Sequence, residues 1–252
     1  MPRRDASNGP AHRPECCVEM RQPLVAQLRG ASKTYTTGPE DVEALKQTDL
    51  DLNAGELILI IGPSGSGKTT LLSLLGCVIY PTDGCVCVQG ANTKLLNDDE
   101  LAALRLREIG FVFQGLNLIA PLSCEENVMA PLIIRGEESH VITERVDHAL
   151  EVVGLSHKRR ALPKQLSGGQ QQRTAIARAL VTDPSIILCD EPTGSIDFEA
   201  AQSVMDELRG LADDGKAVAV VTHDTRLEQY ADRVISIEEG VVGERTKEGG
   251  TA

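Results

Sequence analysis

Short apolar runs, four or five residues long and separated by amphipathic stretches, set the rhythm of this chain from Leu24 onward. Leu57-Ile58-Leu59-Ile60-Ile61, Ile186–Cys189 and Ala217–Val221 are uninterrupted, as strands covered on both faces require. Leu24–Arg29, Val42–Leu52 and Cys85–Gln89 predict strands of a smaller antiparallel patch. Helical spacing predicts Thr69–Leu75, stopping near Gly76, and Asp98–Glu108, which opens on acidic residues as a helix N-terminus favours. Ile109–Gln114 returns to strand character. Glu125–Ile134 and Thr143–Leu155, with Val146, Ala149, Leu150 and Val153 on one face, predict a helical lobe, and Gln171–Val181 a further helix. From Ile186 the pattern alternates: strand, helix Glu199–Leu211, strand Val218–Thr222, helix Arg226–Ala231, strand Val234–Glu238. Such alternation implies an α/β fold with a mainly parallel sheet and helices on its faces.

The segment 1–23 is polar, proline-bearing and aperiodic, and reads as a disordered tail. The folded domain is expected over 24–243, its helical subdomain over about 115–180, with a short tail from 244 to 252 and no appended regulatory domain. No apolar run approaches the ~18–20 residues that span a bilayer, and the N-terminus lacks a signal-peptide core, so a cytosolic chain is expected. The net charge of −12, from 37 acidic and 25 basic residues, argues against binding nucleic acid through its phosphates and for simple solubility. Seven cysteines show no zinc spacing. Cys85 and Cys87 share a strand face, Cys189 sits in an apolar strand, and reduced, buried thiols are expected. Cys16-Cys17, in the polar tail, is a candidate redox or metal pair.

Chemistry enters at Gly62-Pro63-Ser64-Gly65-Ser66-Gly67-Lys68-Thr69-Thr70, directly after the first apolar run. Strand, glycine-rich turn and helix start form the pattern of a P-loop. Gly62, Gly65 and Gly67 permit a backbone path along which consecutive N–H groups converge on phosphate oxygens. The helix start adds about half a positive charge. Lys68 supplies a full charge for the terminal phosphates, and the Thr69 hydroxyl can ligate Mg²⁺. A turn that binds nothing is the alternative, and the strand before and helix after argue against it. The fold class is therefore α/β with a P-loop NTPase core, an antiparallel β subdomain and an inserted α-helical subdomain.

About 120 residues downstream, Ile186-Ile-Leu-Cys-Asp190-Glu191 carries a buried strand to a pair of carboxylates at its C-terminal end, where open α/β sheets bind ligands. Asp190 is placed to hold Mg²⁺ through a water. Glu191 is placed to orient or deprotonate the attacking water. Ser167-Gly168-Gly169-Gln170 is a second helix start with bare amides, one more anion site than a single nucleotide needs. Two chains packed head to tail, each covering the other's nucleotide with its Ser167 segment, would use both. A P-loop small-molecule kinase has no use for that second site.

With these motifs in order, the chain resembles an ATP-binding cassette (ABC) ATPase subunit over roughly residues 24–243. The resemblance implies that Tyr35 stacks on adenine, and that Gln114, ending Phe111-Val-Phe-Gln, touches Mg²⁺ and water and links to the helical lobe. It implies that Leu166–Gln170 is the signature motif and that His223, in Val221-Thr-His-Asp224, contacts the γ-phosphate. Asp197, in the loop Gly194-Ser195-Ile196-Asp197 that crosses to the partner subunit, joins the nucleotide-binding residues. Relatives often place Ala or Asn and Leu where this loop has Ser195 and Ile196. ATP and Mg²⁺ are the implied ligands. The implied partners are a second copy of the chain and membrane permease subunits, at the cytoplasmic face of the cell membrane.

The Thr36–Ala44 loop, the Gln114-Gly-Leu-Asn-Leu-Ile run and Leu166–Arg173 are similar to the lipoprotein-releasing and macrolide-export branch, whose permeases carry a large extracytoplasmic domain. Two other readings stay open on the sequence. One is an ABC ATPase operating a nontransporting membrane complex, such as a cell-division apparatus. The other is a soluble ABC ATPase, against which the single short acidic cassette counts. A neighbouring reading frame with four membrane helices and a large periplasmic insertion would separate them.

Overall fold

The computed structural model describes residues 23–37, 40–194, 196 and 198–245. Ser195, Asp197 and the Cys16-Cys17 pair lie outside the described residues. Two long strands, β1 (Leu24–Thr37) and β2 (Glu40–Asn53), pair antiparallel and are joined by β4 (Asp83–Val88) and the short β5 (Ala91–Asn92) in a sheet of order β2-β1-β4-β5. The second sheet has six strands. It sets β3 (Leu57–Ile61) between β9 (Arg233–Glu238) and β8 (Ala217–Val221), continues through β7 (Ile186–Asp190) to β6 (Ile109–Val112), and ends at β10 (Val241–Arg245). All neighbours are parallel except the β9–β10 hairpin.

Uninterrupted apolar strands become intelligible in this sheet. Leu57, Leu59 and Ile61 of β3 join one core with α5 (Gly168–Leu180), α6 (Phe198–Asp213), α3 (Cys124–Arg135) and α4 (Ser139–Val152). Ile58 and Ile60 point the other way, into a core shared with α1 (Lys68–Leu75), α2 (Asp98–Glu108) and the four-stranded sheet. Period-two side chains feed both layers, so a polar residue on either face would be buried without a partner.

Helix starts follow local chemistry. Asn97 and Glu100 make a reciprocal capping box on α2, and Ser123 and Glu126 do the same on α3. α3 ends at Gly136, which adopts φ 72°. Several boundaries differ from the sequence reading. β1 runs on through Thr37 with bulges near Ala31 and Lys33, because β2 supplies partners for polar residues that lack alternation. The segment Arg226–Ala231 forms 3-10 turns, Thr225–Tyr230, capped by Asp224. The strands β5 and β10 were not legible, being short or mostly exposed.

One expectation is corrected. Cys77, Cys124 and Cys189 are free and buried, as anticipated. Burial pushes the Cys77 thiol up to about 12, keeping it protonated. Cys85 and Cys87, however, are disulfide-bonded rather than reduced.

Candidate functional site

The chain leaves β3 into a turn squeezed by both sheets. A Cβ on Gly62 would lie 2.2 Å from the Ile237 carbonyl oxygen of β9, and one on Gly67 would lie 2.4 Å from that of Ala44 in β2. Gly67 also has φ 110°, so any side chain there is excluded twice over. α1 begins at the next residue. The Lys68 ammonium bends back over the loop and donates to the carbonyls of Gly62 and Pro63, both at 2.8 Å. Ser66 lies beneath, buried, with a hydroxyl that finds no partner among the described residues.

Across the mouth, β7 ends at the half-buried Asp190, whose Oδ2 accepts from the Thr69 hydroxyl at 3.3 Å. Burial, reinforced by the Glu191 charge, holds the Asp190 carboxyl above the usual carboxylate range, with the Thr69 bond and the Lys68 charge opposing. Such a carboxylate gains from a nearby cation. Glu191 takes φ 51°, unusual for a residue with a side chain, while its N–H donates to the Val221 carbonyl at 2.9 Å. That turn brings its Oε2 to 2.8 Å from His223 Nδ1. His223 follows β8 through buried Thr222, whose N–H is anchored to the Ile60 carbonyl of β3. Asp224 turns away and pairs with Arg226 at 2.7 Å, so it serves the following turn and not the cleft.

Gln114 follows β6 into a loop with two left-handed residues, Leu116 and Asn117. Two side chains pin that loop. Fully buried Asn127 accepts from Ile119 N–H at 2.7 Å and donates to the Ile119, Leu122 and Ser123 carbonyls. Arg178 donates to the Leu116 and Asn117 carbonyls at 2.6 and 2.7 Å. Neither residue carries a sequence signal, since a helix-borne Asn or Arg is ordinarily a solvated one.

These elements enclose a cleft of about 630 Å³ that brings together Gly62–Gly65, Gly67–Thr70, Gln114, Asp190, Glu191 and His223. Ala44 and Gly194 also line it, and the sequence reading named neither for the site. Ala44 could not be found from sequence because only the packing of β2 against the phosphate loop puts its carbonyl against Gly67. Tyr35 does not line the cleft. It lies on β1, partly exposed, with the Lys33 ammonium 5.2 Å from its ring centroid. Ser167–Gln170 are likewise outside the chain's own cleft. Ser167 caps α5, accepting from Gln170 N–H at 3.3 Å while the Gln170 side chain accepts from Ser167 N–H at 3.1 Å. This box serves two amides and leaves those of Gly168 and Gly169, at an exposed helix tip, without helical acceptors.

The residues fit a nucleotide with Mg²⁺. Among the described residues no cluster of three or more His, Cys, Asp or Glu could hold a metal alone. Mg²⁺ needs no such cage, since it keeps waters and phosphate oxygens beside one or two protein ligands. The Thr69 hydroxyl, paired with the Asp190 carboxylate, is placed to be such a ligand, with Asp190 able to act through a water.

Residues 45–194 match the family model described as "ABC transporter". The ABC transporter ATP-binding protein MJ0796 of Methanocaldococcus jannaschii is 44% identical over 226 residues, covering 88% of this chain and 96% of that one. The macrolide export ATP-binding/permease protein MacB of Agrobacterium fabrum is 44% identical over 223 residues, but the chain spans only 34% of its length. A dimeric structure of the MJ0796 cassette in a post-hydrolysis state, bound to ADP and Pi, superposes with a TM-score of 0.82 at 42% identity, covering 89% of this chain and all of that one. The fold is that of an ABC ATPase cassette. A family match that takes in both the P-loop and the Asp190-Glu191 strand end, with the M. jannaschii relative alike over 96% of its length, places the chain: it belongs to the ABC transporter family.

Proposed function

We propose that the chain is the ATP-hydrolysing subunit of an export or lipoprotein-release transporter, closing as a head-to-tail dimer on two ATP molecules and driving a membrane permease. The observation that carries this reading is the Glu191–His223 pair, 2.8 Å apart on two parallel strand ends, facing the cleft that holds Lys68 and Thr69. A carboxylate oriented by an imidazole at that position can align a water against a terminal phosphoryl group.

The residues divide the work. Amides of Gly65 to Thr69 and the Lys68 ammonium, released from its two carbonyls, bind the phosphates. Thr69, with Asp190 acting through a water, would hold Mg²⁺, which would supply charge neutralisation for the phosphates. Glu191 accepts the proton of the attacking water, and His223 fixes the carboxylate and contacts the γ-phosphate. Gln114 reports occupancy to the helical lobe, taken as about 115–180. Tyr35 and Asp197 complete the nucleotide site as the family likeness implies, Tyr35 after its side chain leaves Lys33.

The second subunit is supported by the Ser167 helix tip. The amides of exposed Gly168 and half-buried Gly169 lie outside the chain's own cleft, where a phosphate held by another chain could use them. The dimeric MJ0796 structure is consistent with such an arrangement.

Beside Gln114, Val78, Leu106, Phe111, Phe113 and Ile134 line an apolar groove of about 420 Å³. Ile134 is 74% exposed and Val78 51%, more than a solitary surface would leave uncovered in one place. We assign this groove to a cytoplasmic segment of the permease. No helix among the described residues is long and apolar enough to cross a membrane, in keeping with a peripheral subunit at the cytoplasmic face.

Glu191→Gln tests the core of the proposal. It should bind ATP, accumulate as a dimer in gel filtration, and lose turnover. Parental turnover in that variant would remove Glu191 from the mechanism.

A further inference from the structure

Gln114 owes its position to the two ends of the turn in which it stands. It is the second residue of Phe113–Leu116, a turn closed by Leu116 N–H donating to the Phe113 carbonyl at 2.8 Å. Its own side chain is exposed at the cleft and makes no hydrogen bond among the described residues. β6 fixes the leading end. Val112 is fully buried, and the Phe111 and Phe113 rings stack with centroids 4.2 Å apart. At the trailing end Leu116 and Asn117 take φ 57° and 47°, a region that residues with a Cβ avoid, and Asn117 N–H folds back on the Gly115 carbonyl at 2.6 Å.

The hold on that trailing end comes from α5. Arg178 Nη2 donates to the Leu116 carbonyl at 2.6 Å and Nη1 to that of Asn117 at 2.7 Å. At this level α5 is seated directly on β6, where a Cβ on Gly110 would lie 2.4 Å from the Ala179 carbonyl oxygen. Strand and helix therefore act as one body that fixes the turn from both sides.

A loop can be held without a charge. Asn127 bonds Ile119 and Leu122 through a neutral amide. Arg178 is a half-buried cation that no carboxylate pairs among the described residues, and burial pushes its guanidinium below the ordinary arginine range. What a guanidinium offers is a rigid fork, two nitrogens that span two carbonyls in fixed geometry, where an amide or an ammonium has donors on one nitrogen. Bonds to two successive peptide units leave the turn a single orientation, and Gln114 with it.

We propose that Arg178 is a positioning residue for ATP hydrolysis, its fork on the Leu116 and Asn117 carbonyls setting Gln114 at the cleft. Arg178 does not line the cleft, so it acts through Gln114 and not on the nucleotide. The role rests on the ATP-hydrolysing function proposed above and on the place of Gln114 in it.

The test is a double-mutant cycle on the full chain with Arg178→Lys and Gln114→Ala, read as single-turnover phosphate release. Arg178→Lys should lower the rate about tenfold and leave the half-saturating ATP concentration within about twofold, since the phosphate loop is untouched. Gln114→Ala should lower the rate at least as far, and the double variant should be no slower than Gln114→Ala alone. Losses that multiply in the double variant would overturn the proposal, because Arg178 would then act elsewhere. A parental rate in Arg178→Lys would do the same. A parental rate in Gln114→Ala would instead remove Gln114 from hydrolysis, and the role of Arg178 with it. In the nucleotide-free chain, amide exchange at Leu116 and Asn117 should rise roughly tenfold in Arg178→Lys while that of Ser64–Thr70 holds. Unchanged exchange at Leu116 and Asn117 would refute the fork as their anchor. If Arg178→Lys does not fold, Arg178→Gln, which keeps an amide donor and drops the buried charge, is carried through the same cycle.

Discussion

Replacing Asn127 by leucine isolates what holds the loop after Gln114. The side chains are similar in size, so packing changes little, but four hydrogen bonds disappear. Ser123 keeps a partner, because its carbonyl also accepts from Asn127 N–H within the helix. Ile119 N–H and the Leu122 carbonyl lose the side chain that bonds them. An orphaned buried group costs about 1–3 kcal/mol. Ile119 is 46% exposed, which lets water recover part of that loss. A net loss of about 2–3 kcal/mol follows, or a fall of roughly 5–10 °C in melting temperature for a domain of this size. Calorimetry on the parent and the Asn127→Leu chain measures it. Amide exchange should rise around Leu116–Leu122, and ATP turnover should drop while nucleotide affinity, which resides in the P-loop, holds. A melting point within a degree or two of the parent would refute the assignment of loop order to Asn127.

Lys68→Met removes the one ammonium that lines the cleft among the described residues and should weaken ATP binding at least tenfold in a fluorescent-nucleotide titration, with a small loss in melting temperature from the two part-buried carbonyl bonds it gives up. Gly67→Ala should lose nucleotide binding and about 1–3 kcal/mol of stability, because its Cβ meets the Ala44 carbonyl oxygen at φ 110°; denaturant titration checks the cost. Burial lifts the Glu207 carboxyl to about 7, with Arg173 opposing and Asp206 assisting. The folded chain then keeps a proton that the unfolded chain releases near pH 4.3, so this group makes stability decline as pH rises from about 4.5 to 7 and level off above. Glu207→Gln should flatten that decline in urea melts taken across the window, and an unchanged slope would contradict it.

Much of this molecule is decided by stretches of adjacent residues. A backbone path that only glycine can follow, a strand before it and a helix after it are local properties, so Gly62–Thr70 was legible as a phosphate loop without coordinates. The same holds for Asp190-Glu191, delivered by four apolar residues that must be buried, and for the Ser167 helix start. Uninterrupted apolar runs, as against alternating ones, settled that the main sheet is covered on both faces. Tertiary structure decided what depends on register between distant segments. Only the meeting of β2 with the phosphate loop and the β9–β10 turn, where Lys46 N–H bonds the Gly240 carbonyl, brings the Ala44 carbonyl against Gly67, and only the neighbouring ends of β7 and β8 set His223 against Glu191. Asn127 and Arg178 bond backbone carbonyls of a loop, partners that carry no side-chain signature in any sequence. The bonding of Cys85 and Cys87 was read wrongly for the same reason: thiol spacing along a strand reports which face they share and not what they bond.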